Sequence, residues 1–349
     1  MSAQPNARSA ELSELPRRGD FAGQTLVGPF QPDARSMDSD EPYHGMPPEA
    51  LYVWGTLRDD EGDLHTVMRR IPHSGKATSR RTFVVQTTMG GSDSLRMHPA
   101  GRNSAPHTDP IRELIDDNTI EWRNNESVEG APFRLRWANE TCEWVEEGVL
   151  DLTGTLVKPG MQWCVVGPDS GLAYIATIYQ LEGTIFGRRC RGFLGFDQIH
   201  MPEGGEVYRS KDPLIEDGLE HLWYTWATRY KDGSVDAGHF MLGNNRFGFG
   251  ILTDETGRVR ISTDVDGEVT FEPETNYWQT GARFSFGDDD YEFIPDERGR
   301  MPDLGNIPNP QVDGRWRRVG DTREPDVWFA WGEAVPANGP RPKRQRYVP

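Results

Sequence analysis

The amino-acid sequence predicts an all-β protein with two tandem antiparallel β-barrel or sandwich domains. Short runs rich in aromatic and β-branched residues recur along the chain, separated by Gly, Asp and Asn. Patterns typical of helices are almost absent. The length of 349 residues is enough for about two domains.

The predicted strands follow an N-terminal arm, residues 1–45, which is rich in Pro, Ser, Asp and Arg and is expected to be flexible. One helical turn is predicted over Ile111–Asp117, because Asp109 can cap a helix and Pro110 suits its first turn. Turns are expected at 231–233 and 243–245. The predicted strands are Leu51–Leu57, Thr82–Gln86, Phe133–Trp137, Gly148–Leu156, Leu172–Gln180, Leu222–Tyr230, Val235–Leu242, Phe247–Leu252, Val259–Ser262 and Val327–Gly332.

An apparent internal repeat supports two related domains. Residues 52–64 align without gaps onto residues 247–259, and each copy reads strand, Asp-x-x-Gly turn, strand. Turn-forming residues are dense between positions 200 and 218, which is the predicted junction. The expected domains are residues 46–205 and residues 206–335, followed by a basic tail over residues 336–349.

Composition limits the partners of this protein. The net charge of -17 argues against nucleic acid and anionic membranes, and it fits a neutral or cationic substrate. No apolar run approaches the length of a membrane span. Three cysteines form no disulfide or zinc pattern, and the polar N-terminus has no secretory core, so a cytoplasmic location is expected.

No familiar catalytic signature is present. The chain has no His-Glu-x-x-His motif, no P-loop and no Gly-x-Ser-x-Gly elbow. Three histidines, His200, His221 and His239, could ligate zinc or iron, but no ligand spacing is evident. We therefore expect no cofactor and no tightly bound metal.

Polar and aromatic residues concentrate between Asp197 and His239. Strand alternation places His221 and Trp223 on one face of a predicted strand, with Tyr224 and Trp226 on the other. A slip of one residue in register would exchange the two faces. His239 is a polar group on an otherwise apolar strand face, where a core histidine bonded to backbone is the alternative to a functional one. Asp197 and Asp236 are acids near the same segment.

These residues fall within a resemblance to a known family. The segments 179–183 and 195–200, the His221-x-Trp223 pair and the closing 328–333 segment resemble the carotenoid 1,2-hydratase (hydroxyneurosporene synthase) and AttH-type proteins. The resemblance covers roughly residues 45–335. It implies two lipocalin-like domains and hydration of isoprenoid double bonds or pericyclic ring closure. It also implies an acid site built from the pair, a downstream Tyr, for which Tyr277 is the candidate, and acidic residues.

The resulting hypothesis is a cofactor-independent hydratase, isomerase or cyclase acting on a hydrophobic terpenoid, steroid or polyketide in a barrel cavity. The alternatives are a non-catalytic carrier of such a ligand and a structural β protein, and a homodimer is left open. If the hypothesis holds, His221→Ala should abolish turnover. The candidate catalytic residues are His221, Trp223, Asp197, Asp236 and His239, and the candidate substrate-binding residues are Tyr179, Tyr224, Trp226, Tyr277 and Trp331.

Overall fold

The computed structural model describes residues 26–38, 40–72, 83–105, 110–166, 170–216, 220–243, 247–304 and 309–335. A first sheet contains β1 (Leu26–Phe30), β2 (Pro48–Asp59), β3 (Leu64–Pro72), β4 (Phe83–Thr87), β5 (Arg96–Met97), β6 (Ile111–Asp116), β7 (Thr119–Arg123), β8 (Phe133–Ala138), β9 (Thr141–Glu146), β10 (Leu150–Val166), β11 (Gly171–Ile185) and β12 (Arg188–His200). A second sheet contains β13 (Glu220–Tyr230), β14 (Val235–Gly243), β15 (Gly248–Asp254), β16 (Val259–Ser262), β17 (Val265–Phe271), β18 (Gln279–Phe286), β19 (Asp289–Arg300), β20 (Gln311–Arg318) and β21 (Pro325–Ala334).

Only two short helical pieces occur in the described ranges, a 3-10 helix over Pro99–Asn103 and helix α1 over Pro213–Glu216. No helix there has the length and apolar composition needed to cross a membrane. The all-β, antiparallel fold class predicted from sequence is confirmed, since one sheet forms a half-barrel and the other a nearly closed barrel. The domain boundaries expected from sequence stay a prediction.

The two sheets share one topological device. In the first sheet the last strand, β12, pairs with the long strand β2, and in the second sheet the last strand, β21, pairs with the first strand, β13. Each sheet therefore brings the beginning and end of its own chain segment side by side. This arrangement places β2 and β12 of one sheet, and β13 and β21 of the other, at the centre of the molecule.

Apolar side chains form three separate clusters. One fills the concave side of the first sheet, and another fills the inside of the second sheet. The third cluster lies between the sheets and takes residues from both, with β2, β10 and β12 packing against β15 and β21. Burial of this third layer is the hydrophobic contribution that holds the sheets together.

The third layer explains why some strands read as continuous apolar runs. In β11, Tyr174, Ala176 and Ile178 face the second sheet, whereas Tyr179 and Leu181 face the core of the first. Hydrophobic and polar residues alternate only in a strand with one solvent-exposed face, and this strand is buried on both faces. Residues 171–179 are accordingly all buried.

Arginine residues add polar contacts across the boundary between the sheets. Arg58 on β2 binds Asp296 on β19 and stacks its guanidinium 4.2 Å from the Trp328 ring centroid. Arg298 Nη1 lies 3.0 Å from Asp63 Oδ1, on the other side of the boundary. Such partly exposed ion pairs fix the orientation of the sheets more than they add stability.

The apparent sequence repeat has a different origin from the one expected. Residues 52–64 form the β2–β3 hairpin and residues 247–259 form the β15–β16 hairpin, which occupy different places in the two sheet orders. The likeness lies in the turns, because Asp59 and Asp254 each accept two backbone N–H bonds and each turn has a glycine with positive φ. The Asp-x-x-Gly turn therefore accounts for the match.

Two further expectations differ from the structure. Residues Ile111–Asp116 form strand β6, not a helical turn, because they pair with β7 in a hairpin. Within the arm expected to be flexible, β1 pairs with β10, and Ala34 and Met37 are fully buried in the first core. Residues 1–25, Asp109, residues 244 and 245 of the predicted 243–245 turn and the basic tail lie outside the described residues.

Candidate functional site

A cluster of polar and aromatic side chains, here called the inter-sheet site, lies in the layer between the sheets. The first sheet contributes Trp54 from β2, Tyr174 from β11 and Asp197 from β12. The second contributes Trp223 from β13, His239 from β14 and Trp331 from β21. Ring centroids are 5.8 Å apart for Trp54 and Trp223, and 4.9 Å apart for Trp223 and His239.

Asp197 is a fully buried carboxyl group with one partnered oxygen. Its Oδ2 accepts hydrogen bonds from the Tyr174 hydroxyl, at 2.6 Å, and from the Trp54 indole N–H. Its Oδ1 is buried and has no partner among the described residues. Burial raises the pKa of Asp197 to about 7, although both hydrogen bonds oppose this shift. The group is therefore a carboxylic acid below neutral pH.

A glycine allows Trp54 to reach Asp197. Gly195 on β12 pairs with Trp54 on β2, and the indole lies directly over the glycine backbone. A Cβ atom at position 195 would lie 2.8 Å from Trp54 Cε2, closer than side chains tolerate. The absence of a side chain at Gly195 is thus what lets the indole ring lie flat and donate to the acid.

His239 presents a second unpartnered polar atom from the opposite sheet. Its Nδ1 lies 2.9 Å from the Thr225 hydroxyl, and its Nε2 is buried without a partner among the described residues. Burial lowers the pKa of His239 to about 3, so the imidazole is neutral. The Tyr174 ring, which bonds Asp197, lies 5.9 Å from the His239 ring.

Aromatic rings form the walls around these two groups. Trp331 meets Trp54 edge-on at 5.2 Å, and Trp163 stacks on Tyr174 at 5.3 Å. Phe249 closes the side next to His239. Such faces attract cations through their quadrupoles, by about 2 kcal/mol or more where water is excluded.

The two polar groups have environments that push their pKa values in opposite directions. Near pH 6 Asp197 is a protonated acid and His239 is a neutral base, because burial disfavours the charged form of each group. Pairs of this kind are typical of general acid–base sites. The arrangement can donate a proton from one sheet and accept a proton on the other.

Four of the residues chosen from sequence come together here: Asp197, Trp223, His239 and Trp331. Sequence analysis placed them in a barrel cavity, and the structure instead places them outside both barrel cores, in the layer between the sheets. The register of β13 decides this, because Trp223 faces the first sheet whereas Tyr224 and Trp226 fill the second sheet's own core.

The structure places the other candidates elsewhere. Tyr179 lies in the first core, where its hydroxyl accepts from Trp137 Nε1. Tyr277 is 44% exposed beside Trp278, and Asp236 binds Arg323 and the Tyr230 hydroxyl at a strand end. Tyr224 donates to Gln279 within the second core.

His221 stands two residues before Trp223, at a break in the register between β13 and β14. It is partly exposed, and burial lowers the pKa of its imidazole. No side-chain hydrogen bond ties it to Asp197 or His239 among the described residues. Since Trp223 is also partly exposed, this end of the inter-sheet site lies nearest the solvent.

Trp54, Tyr174 and Thr225 were not chosen from sequence. Trp54 and Tyr174 sit inside strands that sequence analysis predicted correctly, but nothing local distinguishes them from core aromatics. Their role depends on register across β2, β12 and β11, which joins positions far apart in the chain. Thr225 could have been identified from the sequence, because strand alternation places it on the same face as Trp223.

The described ranges contain no group of three or more His, Cys, Asp or Glu residues arranged to hold a metal ion. The three histidines considered for a metal site lie apart: His200 packs near Tyr43, whereas His239 lies between the sheets. That the protein needs no metal stays a prediction.

Replacing Thr225 with valine is expected to loosen His239 without enlarging the site. The hydroxyl is the partner of Nδ1, so Thr225→Val leaves a buried imidazole nitrogen unbonded, at a cost of about 1–3 kcal/mol. Thr225→Ser should restore the bond. Nitrogen-15 NMR of His239 checks the tautomer, which should carry its proton on Nδ1 in the wild type and lose that preference in the valine variant. A proton on Nε2 in the wild type would contradict this.

No protein-family model and no curated protein sequence matches this chain. Among solved structures, it is similar to the AttH protein NE1406 of Nitrosomonas europaea, with 14% identity, a TM-score of 0.46, and coverage of 85% of this chain and 95% of that chain. It is similar to CghA with Sch210972 at 12% identity and a TM-score of 0.45, covering 90% and 99%. It is similar to kievitone hydratase from Nectria haematococca at 8% identity and a TM-score of 0.42, covering 88% and 98%. All three are likenesses of fold at low sequence identity.

Proposed function

We propose that this protein is a cofactor-independent hydro-lyase that adds water to, or removes water from, a hydrophobic terpenoid-like substrate in the inter-sheet site. The observation that carries the proposal is the buried Asp197 carboxyl, whose pKa is raised to about 7 and whose Oδ1 has no partner among aromatic walls. An alkene is a weak base, and only an acid that keeps its proton near neutral pH can protonate it.

In the hydration direction, the Asp197 O–H bond breaks and its proton forms a C–H bond with one alkene carbon. The other carbon becomes a tertiary cation, which the faces of Trp54 and Trp223 stabilise. A water oxygen then bonds to the cation, and His239 Nε2 takes the proton that this water loses. Transfer of that proton back to Asp197 closes the cycle, so the net change is alkene plus water to alcohol.

The same intermediate allows related outcomes. Loss of a neighbouring C–H proton from the cation gives an isomerised alkene, and capture by a second double bond gives a ring. Substrate would enter at the end of the site where Trp223 is partly exposed. Enclosure by aromatic side chains keeps other water away from the cation, so the placement of one water molecule decides the product.

Incubation with trisubstituted alkenes in H₂¹⁸O tests this function. Geraniol, farnesol, squalene and a prenylated isoflavonoid serve as probes, and at least one should gain a single labelled water, measured by mass spectrometry. His239→Ala should lower that turnover by roughly 10²- to 10⁴-fold, the usual contribution of a general base. The sequence-based hypothesis expects His221→Ala to abolish turnover. With His239 as the base, His221→Ala instead serves as the control and should reduce turnover less than tenfold, because His221 lies at the exposed end of the site.

Each of the other outcomes would indicate a different function or a different base. Binding of a probe without turnover in any of them would make this chain a carrier of hydrophobic ligands. If His221→Ala loses turnover and His239→Ala keeps it, His221 is the general base. Retention of full turnover in both variants would overturn the acid–base proposal.

A further inference from the structure

A buried carboxylate lies at one end of the inter-sheet site. Glu333 is only 2% exposed and follows Trp331 on the face of β21 that packs against the first sheet. It pairs across strands with Trp223. Its Oε1 accepts from the Tyr208 hydroxyl and its Oε2 accepts from the Gln311 amide, both at 2.7 Å. The same Gln311 holds the Trp331 indole N–H at 2.8 Å.

The partners of Glu333 are neutral groups. No arginine, lysine or histidine lies within ion-pair distance of it in the part of the chain that the structure describes. Burial, followed by the charges of Glu333, Glu220 and Asp212, raises the pKa of the Tyr208 phenol. The Tyr208 hydroxyl in turn contributes to the raised pKa of Tyr174, the residue bonded to Asp197. The position of Glu333 is set by geometry: it pairs across strands with Trp223, and its partner Gln311 also holds the Trp331 indole, so the carboxyl group lies beside two walls of the inter-sheet site.

Two arginines of the neighbouring segments already have carboxylate partners. Arg70 pairs with Glu49, and Arg209 pairs with Glu206. A substrate with a phosphate or carboxylate group would meet the like charge of the Glu333 carboxyl group, in a region where burial weakens screening by salt.

We propose that Glu333 is a specificity-determining residue that restricts the site to substrates without an anionic group. The substrate class is then a neutral isoprenoid or polyene, such as an alcohol, a phenol or a hydrocarbon, and not a prenyl diphosphate or a carboxylic acid. This inference rests on the proposed function, because it assumes that substrate binds between Asp197 and His239, each of which has one buried polar atom without a partner among the described residues.

Matched pairs of neutral and anionic ligands test this selection. Geraniol is compared with geranyl diphosphate, and retinol with retinoic acid, by quenching of tryptophan fluorescence in the full-length protein. The neutral member of each pair should bind at least tenfold more tightly to the wild type. Glu333→Gln removes the charge of the side chain and keeps its shape. It should lower the ratio of neutral-ligand affinity to anionic-ligand affinity at least tenfold, mainly because the anionic ligand binds more tightly.

Tyr208→Phe is the control, because it removes one hydrogen bond to Glu333 but leaves the charge. It should keep the preference for neutral ligands, and unchanged geraniol affinity in both variants would show that the site has kept its shape. Equal binding of neutral and anionic members by the wild type, an unchanged ratio in Glu333→Gln, or no binding of any neutral probe would each overturn the inference. Discrimination without hydration of any alkene would instead count against the proposed function alone.

Discussion

Asp197→Asn is expected to lower turnover by about 10²- to 10⁴-fold, because asparagine keeps the shape of the acid but has no proton to give. Its amide oxygen can still accept from Tyr174 and Trp54, so the walls of the site should remain in place. Turnover of whichever probe the wild type hydrates is the first measurement. The second is the free energy of unfolding as a function of pH.

The same substitution should stabilise the protein at alkaline pH. The pKa of Asp197 is about 7 in the folded protein and about 3.9 in an unfolded chain. Between these values the folded state holds a proton that the unfolded state has released, so the wild type loses stability as pH rises from about 4 to about 7. Asparagine does not titrate. The free energy of unfolding of Asp197→Asn should therefore equal that of the wild type near pH 4 and exceed it by on the order of 4 kcal/mol above pH 7.

Urea unfolding at pH 5 and pH 8 measures this difference. Other buried groups, such as His239 and Asp313, titrate equally in both proteins and cancel when the two are subtracted. Asp236→Asn is the matched control, because Asp236 is paired with Arg323 outside the inter-sheet site and should change turnover little. A stability difference that does not depend on pH would show that Asp197 is ionised throughout.

Glu146→Gln is expected to cost about 3–5 kcal/mol of stability, because it leaves a buried guanidinium without its counter-charge. Arg69 and Glu146 are both fully buried inside the first sheet, with Arg69 stacked 3.9 Å from the Phe133 ring centroid. The Ser104 hydroxyl and the Trp144 indole also bond Glu146. Urea unfolding monitored by circular dichroism gives the loss.

The double variant Arg69→Met/Glu146→Leu is the control for this pair. It removes both charges and keeps apolar volume, so it should recover most of the stability lost in the single variant. Turnover per folded molecule should be unchanged, because this pair faces the first core and the inter-sheet site faces the other way. A single variant as stable as the wild type would mean that water reaches Arg69.

Much of the architecture could be predicted from the sequence, because strands and turns depend on residues that are close together in the chain. The alternation of residues in β13 correctly separated Trp223 from Tyr224 and Trp226, and turn residues marked the hairpins. What alternation does not encode is which face meets which partner. A strand with two buried faces has no wet side, so the pattern alone left the barrel interior as the natural place for Trp223.

The site itself needed pairings that lie far apart in the chain. Trp54 reaches Asp197 only because Gly195 stands opposite it, 141 positions away. The repeat in the sequence aligns β2 with β15, whereas the strand orders of the two sheets make β13 the equivalent of β2. Trp54 and Trp223 each stand on the strand that pairs with the last strand of its own sheet, and each is paired with a methionine, Met68 or Met241.

The inter-sheet site lies outside the cores of the half-barrel and of the nearly closed barrel. Each sheet has a core of its own beside the layer that it shares with the other sheet, so substitutions on the facing walls should weaken the contact between the sheets without altering the packing inside either one. Wall residues can therefore be exchanged with less risk to each sheet than residues of its own core. Directed evolution confined to the facing positions of β2, β11, β13 and β21 should therefore yield a high proportion of folded variants with altered ligand preference.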